Sequence, residues 1–143
     1  MSSIVLSSLN EAKKKAWNTK IVQESKAVQI ALELYYEDHG TVPIPNRSIY
    51  SWQSTAWDEL ETELKPYISK VPTPRITSIV YPYMYNSHGP GGTSIHSDPC
   101  LQFGPGPYAS FLFFPETPLT AAIQDGGMQD NALEIFVGDY RRC

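Results

Sequence analysis

Few side chains in this 143-residue sequence could do chemistry: three histidines, two cysteines and an acidic loop near the C-terminus. His39, His88 and His96 share no metal-ligand spacing, so the sequence does not indicate a histidine-built metal centre. His39 closes a helical pattern just before Gly40, where the helix dipole favours a cation, and that structural role is its simplest account. His88 and His96 fall in a Gly-rich stretch with Ser94, Ser97 and Asp98, a set that superficially suggests a hydrolase. Acyl transfer needs a serine on a strained elbow, a base held within reach and oxyanion donors. No such pattern surrounds these residues, and no catalytic site is expected. Asp125, Asp130 and Asn131, with Asp139 nearby, offer oxygen ligands in a loop, the kind of site calcium accepts. Asp125-Gly126-Gly127 is foremost a turn signal and the spacing is not that of an EF-hand, so calcium is the second reading and a turn the first.

Cys100 and Cys143 allow two readings: a reduced pair in a reducing compartment, or one disulfide in an oxidising one. Cys143 follows Tyr140-Arg141-Arg142, a polar tail in which a free thiol would be exposed and reactive, and this favours the bridge. Such a bridge closes a 44-residue loop, for which chain entropy gives about 4 kcal/mol. Neither cysteine has a second thiol close by in sequence, which excludes a CxxC redox or zinc motif. Tyr81, Tyr83 and Tyr85 recur with period two, so one strand face carries all three rings, and packing against a helix is their expected use. Asn46-Arg47-Ser48 matches a glycosylation sequon, but it is read here as a linker.

These residues must be positioned by a small number of elements. The hydrophobic content is 41% and the net charge −4, which fits one domain with its own core. Residues 1–40 hold five lysines against five acids, so the whole acidic excess lies beyond Gly40. Phosphate binding needs a concentrated basic face, so nucleic acid is not an expected partner. Lys13, Lys14 and Lys15 wrap around a helix rather than lining one side of it, the mark of a solvated segment.

The dominant element is a helix over Leu9 to Gly40. Ile21, Val28, Leu32 and Tyr35, with Leu9, Ala12 and Ala16 upstream, are taken as one buried stripe. At 1.5 Å per residue it spans roughly 45 Å, longer than a domain of this size is wide, so its N-terminal end should project. A proline-punctuated connection follows, extended because residues before proline avoid the α region. A short helix comes next, with Thr55 as its cap and Trp57, Leu60 and Leu64 as its buried side. From Ile76 onward the pattern is β: an edge or bulged strand over Ile79–Tyr85, a loop over Asn86–Pro99 and a Gly104-Pro105-Gly106-Pro107 turn. A central strand over Tyr108–Phe114 and a third over Ala132–Val137 complete it. The expected fold is α+β, a long N-terminal helix on a 3–4 stranded antiparallel sheet. The single domain divides into a stalk (1–40), a connecting region with the short helix (41–75), and the sheet with a C-terminal loop (76–143).

Leu32-Glu33-Leu34-Tyr35-Tyr36-Glu37-Asp38-His39-Gly40-Thr41-Val42-Pro43, with its upstream Ser-Leu-Asn-Glu-Ala-Lys start at Ser8, resembles the helix end of bacterial type IV pilins and type II secretion pseudopilins. The run from Trp57 through Leu64-Lys65-Pro66-Tyr67 to Pro72 resembles the short helix and proline turn that follow in many members. The resemblance implies a filament subunit acting outside the cell in adhesion, surface motility or DNA uptake. Its partners would be further pilin subunits, and the assembly machinery at the inner membrane. It also implies the Cys100–Cys143 disulfide and, if the chain is a pseudopilin, calcium at the Asp125 loop. A secreted binding module using the 86–99 loop is the alternative from another class. The family's apolar N-terminal segment and its glutamate are missing here, so the helix is expected to be the remaining half of one that reaches a membrane. The surface left outside the buried stripe, including Lys13, Lys14, Lys15, Glu33 and Glu37, is then free for contacts between subunits.

Overall fold

No glycine or proline interrupts the sequence from Ser2 to His39, and this whole stretch forms one helix, α1 (Ser2–His39). The computed structural model describes residues 2–74, 82–90, 101–113 and 132–142. The 38 residues of α1 run about 57 Å at 1.5 Å each. Gly40 ends the helix: it takes φ +70°, a conformation cheap only for glycine, and its N–H donates to the Tyr36 carbonyl at 2.8 Å. His39, in the last turn, stacks on Tyr35 with ring centroids 4.0 Å apart, and its Nδ1 lies 3.1 Å from the Tyr35 carbonyl oxygen.

Beyond Gly40 the chain makes β1 (Arg47–Tyr50), α2 (Ser54–Leu64), β2 (Met84–His88), β3 (Leu101–Phe113) and β4 (Leu133–Arg142). The strands form one antiparallel meander in the order β1-β2-β3-β4. One register row crosses all four, Ile49, Tyr85, Phe111 and Ile135, and every member is buried. That face meets the helices. Ile21, Val28, Leu32 and Tyr35 of α1 join Trp57, Leu60 and Leu64 of α2 in the same core as the row. α1 lies chiefly against β4, while α2 sits by α1 and β1. Tyr83 and Tyr85 are buried there too, and the Tyr83 ring lies 4.9 Å from that of Phe113. Tyr81 is outside the described residues.

The α+β class and the long helix on an antiparallel sheet agree with the sequence, and several local readings need correction. Asn46-Arg47-Ser48 is not a linker, since Arg47 and Ser48 open edge strand β1, inside the connecting region. The connection is not extended throughout as expected, since Ile44, before Pro45, takes φ 36° and Asn46 φ 63°, and the partner of β1, β2, lies some forty residues on, where spacing patterns carry no signal. Asn86, Ser87 and His88 belong to β2, not to a loop. Gly104–Pro107 does not reverse the chain. It bulges within β3, whose pairing to β4 slips between Phe103 and Tyr108 and then resumes. Prolines there remove ladder donors without turning the strand. Opposite the slip, Gly138 takes φ +99°, and a Cβ placed on it would stand 2.3 Å from the Pro107 oxygen. Thr55 does not cap α2, because the helix starts one residue earlier, with Gln53 at the cap position and no side-chain cap bond. The Gln53 Oε1 instead accepts from the Tyr50 N–H at 2.8 Å, closing the turn from β1.

The junction after α1 is held from the sheet. The Tyr85 hydroxyl donates to the Pro43 carbonyl at 2.7 Å, and the Ser87 hydroxyl donates to that of Ile44 at 2.6 Å. The Asn46 Oδ1 accepts from the Gly89 N–H at 2.9 Å. Ile44 and Asn46 both have positive φ, 36° and 63°, so these bonds hold a turn that an isolated peptide would not keep.

Candidate functional site

The chemistry-bearing residues do not converge. His88 is the last residue of β2, stacked on Tyr108 with centroids 4.6 Å apart, while Ser94, His96, Ser97 and Asp98 lie outside the described residues. Cys100, Cys143, Asp125, Asp130 and Asn131 also lie outside them. Asp139 is placed by its backbone in β4. Among the described residues, no three His, Cys, Asp or Glu side chains stand close enough to hold a metal.

Among the described residues the clefts are shallow; three border α2 and one lies between α1 and residues 68–73. One of about 370 Å³ is lined by Ile44, Thr55, Asp58, Glu59, Thr62 and Glu63. Two of its three carboxylates are spent on structure: Glu59 pairs with Arg47 of β1, and Glu63 accepts the Tyr35 hydroxyl at 2.8 Å. Burial, reinforced by Glu63, pushes the Tyr35 hydroxyl up to about 12. The Tyr67 hydroxyl donates to Asp38, and that bond raises its pKa as well. Burial, with smaller electrostatic contributions from Tyr35 and Glu63, carries Tyr85 well above the ordinary tyrosine value. Each of these groups stays protonated and ties helix to head. Nothing in the set is poised as an acid or base at neutral pH.

The surface that stands out is on α1. Residues 6–16 are exposed along its whole circumference, and burial begins with half-buried Trp17 and becomes complete at Ile21. Leu9, Ala12 and Ala16, expected on the buried stripe, are exposed, with Leu9 at 51%. The twelve residues from Leu9 to Ile21 turn three times and then about 120° more, which carries Leu9 away from the core line. Further along, Ala27, Ile30 and Leu34 are exposed too, Ile30 at 56% and Leu34 at 41%. Ile30 and Leu34 escaped the sequence reading, which looked for one apolar stripe. Their signal was there: each sits 18 residues, five full turns, beyond Ala12 and Ala16, on the same side of the helix. α1 thus carries one apolar stripe covered by the sheet and, turned outward, two apolar clusters, Leu9-Ala12-Ala16 and Ala27-Ile30-Leu34, separated by the polar Thr19 and Gln23. Two or three large apolar side chains in line on a helix mark a contact surface more often than scattered ones do.

The described residues define an α+β domain on a projecting helical stalk, with its distinctive apolar surface on that stalk rather than in a cleft. Comparison of the chain with protein-family models, with curated proteins and with solved structures returns no match. Among the described residues no helix is long and apolar enough to cross a membrane.

Proposed function

We propose that this chain is the head and amphipathic stalk of a type IV pilin-like filament subunit. The observation that carries the reading is the pair of outward apolar clusters on α1, one on the exposed stalk and one on the back of the helix that the sheet covers in front. A subunit of this kind needs a helix that does both jobs: one side holds the head, the other meets neighbouring subunits. The LELYYEDHGTVP helix end adds the family resemblance, and Gly40 plays the chain-turning part that motif requires. In this reading the helix continues toward a membrane anchor before assembly. The assembled filament acts outside the cell, in adhesion, surface motility or DNA uptake.

The test is direct. Antibodies raised against the head are used to label cells of the source organism for electron microscopy, and sheared surface material is probed in parallel. Labelled appendages that vanish when the gene is deleted are expected. Protein found only as a free monomer, with no labelled filament under conditions of high expression, would overturn the reading.

A further inference from the structure

Among the aromatic residues whose burial is described, Trp52 is the one left exposed, at 46%. It sits in the turn between β1 and α2, and that turn is held from both sides. The Tyr50 N–H donates to the Gln53 Oε1 at 2.8 Å, and the Gln53 N–H donates to the Tyr50 carbonyl at 2.9 Å. The Ser51 N–H donates to the Tyr83 carbonyl at 2.9 Å, and the Tyr83 N–H donates to the Ser51 hydroxyl at 3.0 Å. The Tyr50 ring backs the indole, with centroids 5.8 Å apart and planes within 13° of parallel. Trp52 is thus a rigid aromatic plate, nearly half of it presented to water, and a ligand landing on it has little left to order.

The plate borders a cleft of about 350 Å³ whose other walls are polar: Gln53, Ser54, Thr55 and the Arg47–Glu59 ion pair. Gln53 is fixed through its Oε1, which leaves the Nε2 donors without a partner among the described residues. The Ser54 and Thr55 hydroxyls are exposed and likewise make no bond there. A second cleft of about 370 Å³ adjoins the first, sharing Thr55 and Glu59 with it, and its remaining walls carry Asp58 and Glu63 but no lysine or arginine.

These groups discriminate among the flat apolar faces that an aromatic plate can take. An apolar side chain of a protein partner would call for further apolar surface around the ring, and the cleft supplies amide, hydroxyl and paired charge instead. A nucleobase brings phosphates, which the acids of the adjoining cleft repel. An acidic sugar meets the same repulsion. A neutral pyranose has an apolar C–H face for the indole and a rim of hydroxyls that both donate and accept. That rim matches the free Gln53 donors, the two-way hydroxyls of Ser54 and Thr55, and an ion pair whose charges cancel.

We propose that the Trp52 turn and the two clefts beside α2 form a binding site for a neutral oligosaccharide. One pyranose stacks on Trp52 beside Gln53 and Ser54, and the next passes Thr55 and Glu59 into the second cleft. The site is on the head and does not rest on the filament reading: a free chain and an assembled one would both carry it.

The experiment titrates the full, isotope-labelled chain with methyl β-D-glucopyranoside, methyl β-D-galactopyranoside and methyl N-acetyl-β-D-glucosaminide, and with cellobiose, lactose and chitobiose. Among the indole N–H resonances of the three tryptophans, that of Trp52 is the one missing from Trp52→Phe. At least one monosaccharide should move it, at roughly millimolar affinity, and the disaccharide containing that sugar should bind about tenfold tighter. Saturation transfer to the sugar reads binding in every variant and should be strongest at the ring C–H groups. Trp52→Ala should weaken binding about tenfold and Trp52→Phe by less, since a smaller ring remains. Thr62→Phe, at an exposed position lining only the second of the two clefts, should remove the disaccharide's advantage and leave the monosaccharide's affinity unchanged. Unchanged circular dichroism and melting confirm that the variants fold, and if Trp52→Ala melts early the comparison rests on Trp52→Phe. No Trp52 shift with any of the six sugars, binding untouched by both Trp52 variants, or disaccharides no tighter than monosaccharides would each overturn the site. A thymidine oligonucleotide that moves Trp52 when the sugars do not would make the plate a base-stacking surface and overturn it as well.

Discussion

Replacing Tyr85 by Phe removes one oxygen from the point where the sheet grips the chain leaving α1. The Tyr85 hydroxyl is buried and donates to the Pro43 carbonyl at 2.7 Å. Pro43 is buried as well, so the carbonyl loses its donor with no water to replace it. An unsatisfied buried acceptor costs roughly 1–3 kcal/mol, and about 2 kcal/mol is expected here. For a domain of this size that corresponds to a fall in Tm of about 6 °C. Tyr35→Phe is the internal control: the Tyr35 hydroxyl donates to the exposed Glu63 carboxylate, which water can solvate again once the hydroxyl is gone. Its loss should cost under about 1 kcal/mol. Urea denaturation followed by tryptophan fluorescence reads both, and the slope with denaturant should stay constant while the midpoint moves. A Tyr85→Phe loss no larger than that of Tyr35→Phe refutes the argument that burial of the acceptor sets the cost.

Gly138→Ala should cost more than about 3 kcal/mol and give little soluble protein, because its Cβ would lie 2.3 Å from the Pro107 oxygen and its φ is +99°. Gly40→Ala, with φ +70° but nothing within 4 Å of a Cβ, should cost only about 1 kcal/mol by thermal melting. Leu32→Ala should cost about 2–5 kcal/mol as a core truncation, whereas Leu34→Ala should leave the melting temperature nearly unchanged and weaken self-association. Raised tyrosine pKa values mean that the folded state holds protons the unfolded state releases first. The tyrosine contribution to stability should therefore be constant below about pH 10 and be lost as pH climbs toward 12, with Tyr85 ionising only on unfolding in absorbance at 295 nm.

The helices were the legible part of this fold. Ile21, Val28, Leu32 and Tyr35, and Trp57, Leu60 and Leu64, are buried as their spacing demands, because a helical face is written within a few residues of itself. Strand β1 was not legible: Arg47–Tyr50 holds one buried residue, Ile49, and becomes a strand only through β2. Gly104–Pro107 has turn composition, and only the resumption of pairing at Tyr108 shows it to be a bulge. The candidate surface was half visible. The exposed charges Lys13, Glu33 and Glu37 were anticipated, but Leu9, Ala12 and Ala16 were assigned to the core, because periods of three and four describe a line without saying which way it faces. Its direction depends on the azimuth relative to Ile21, and over twelve residues that angle has to be counted rather than matched to a template.

The placement of α1 against β4 also has a consequence for how the chain is made. The helix is synthesised before every strand and β4 is the last of the described strands to follow it, and Leu32 meets the same core as Ile135, roughly 100 residues later. Until that strand arrives, the inner line of the helix has little sheet to rest on, while its outer clusters are bare in any case. A nascent or truncated chain thus displays a long helix with apolar residues on two sides. Chaperones and proteases act on such surfaces, and the arrival of β4 decides whether the helix made long before it is kept.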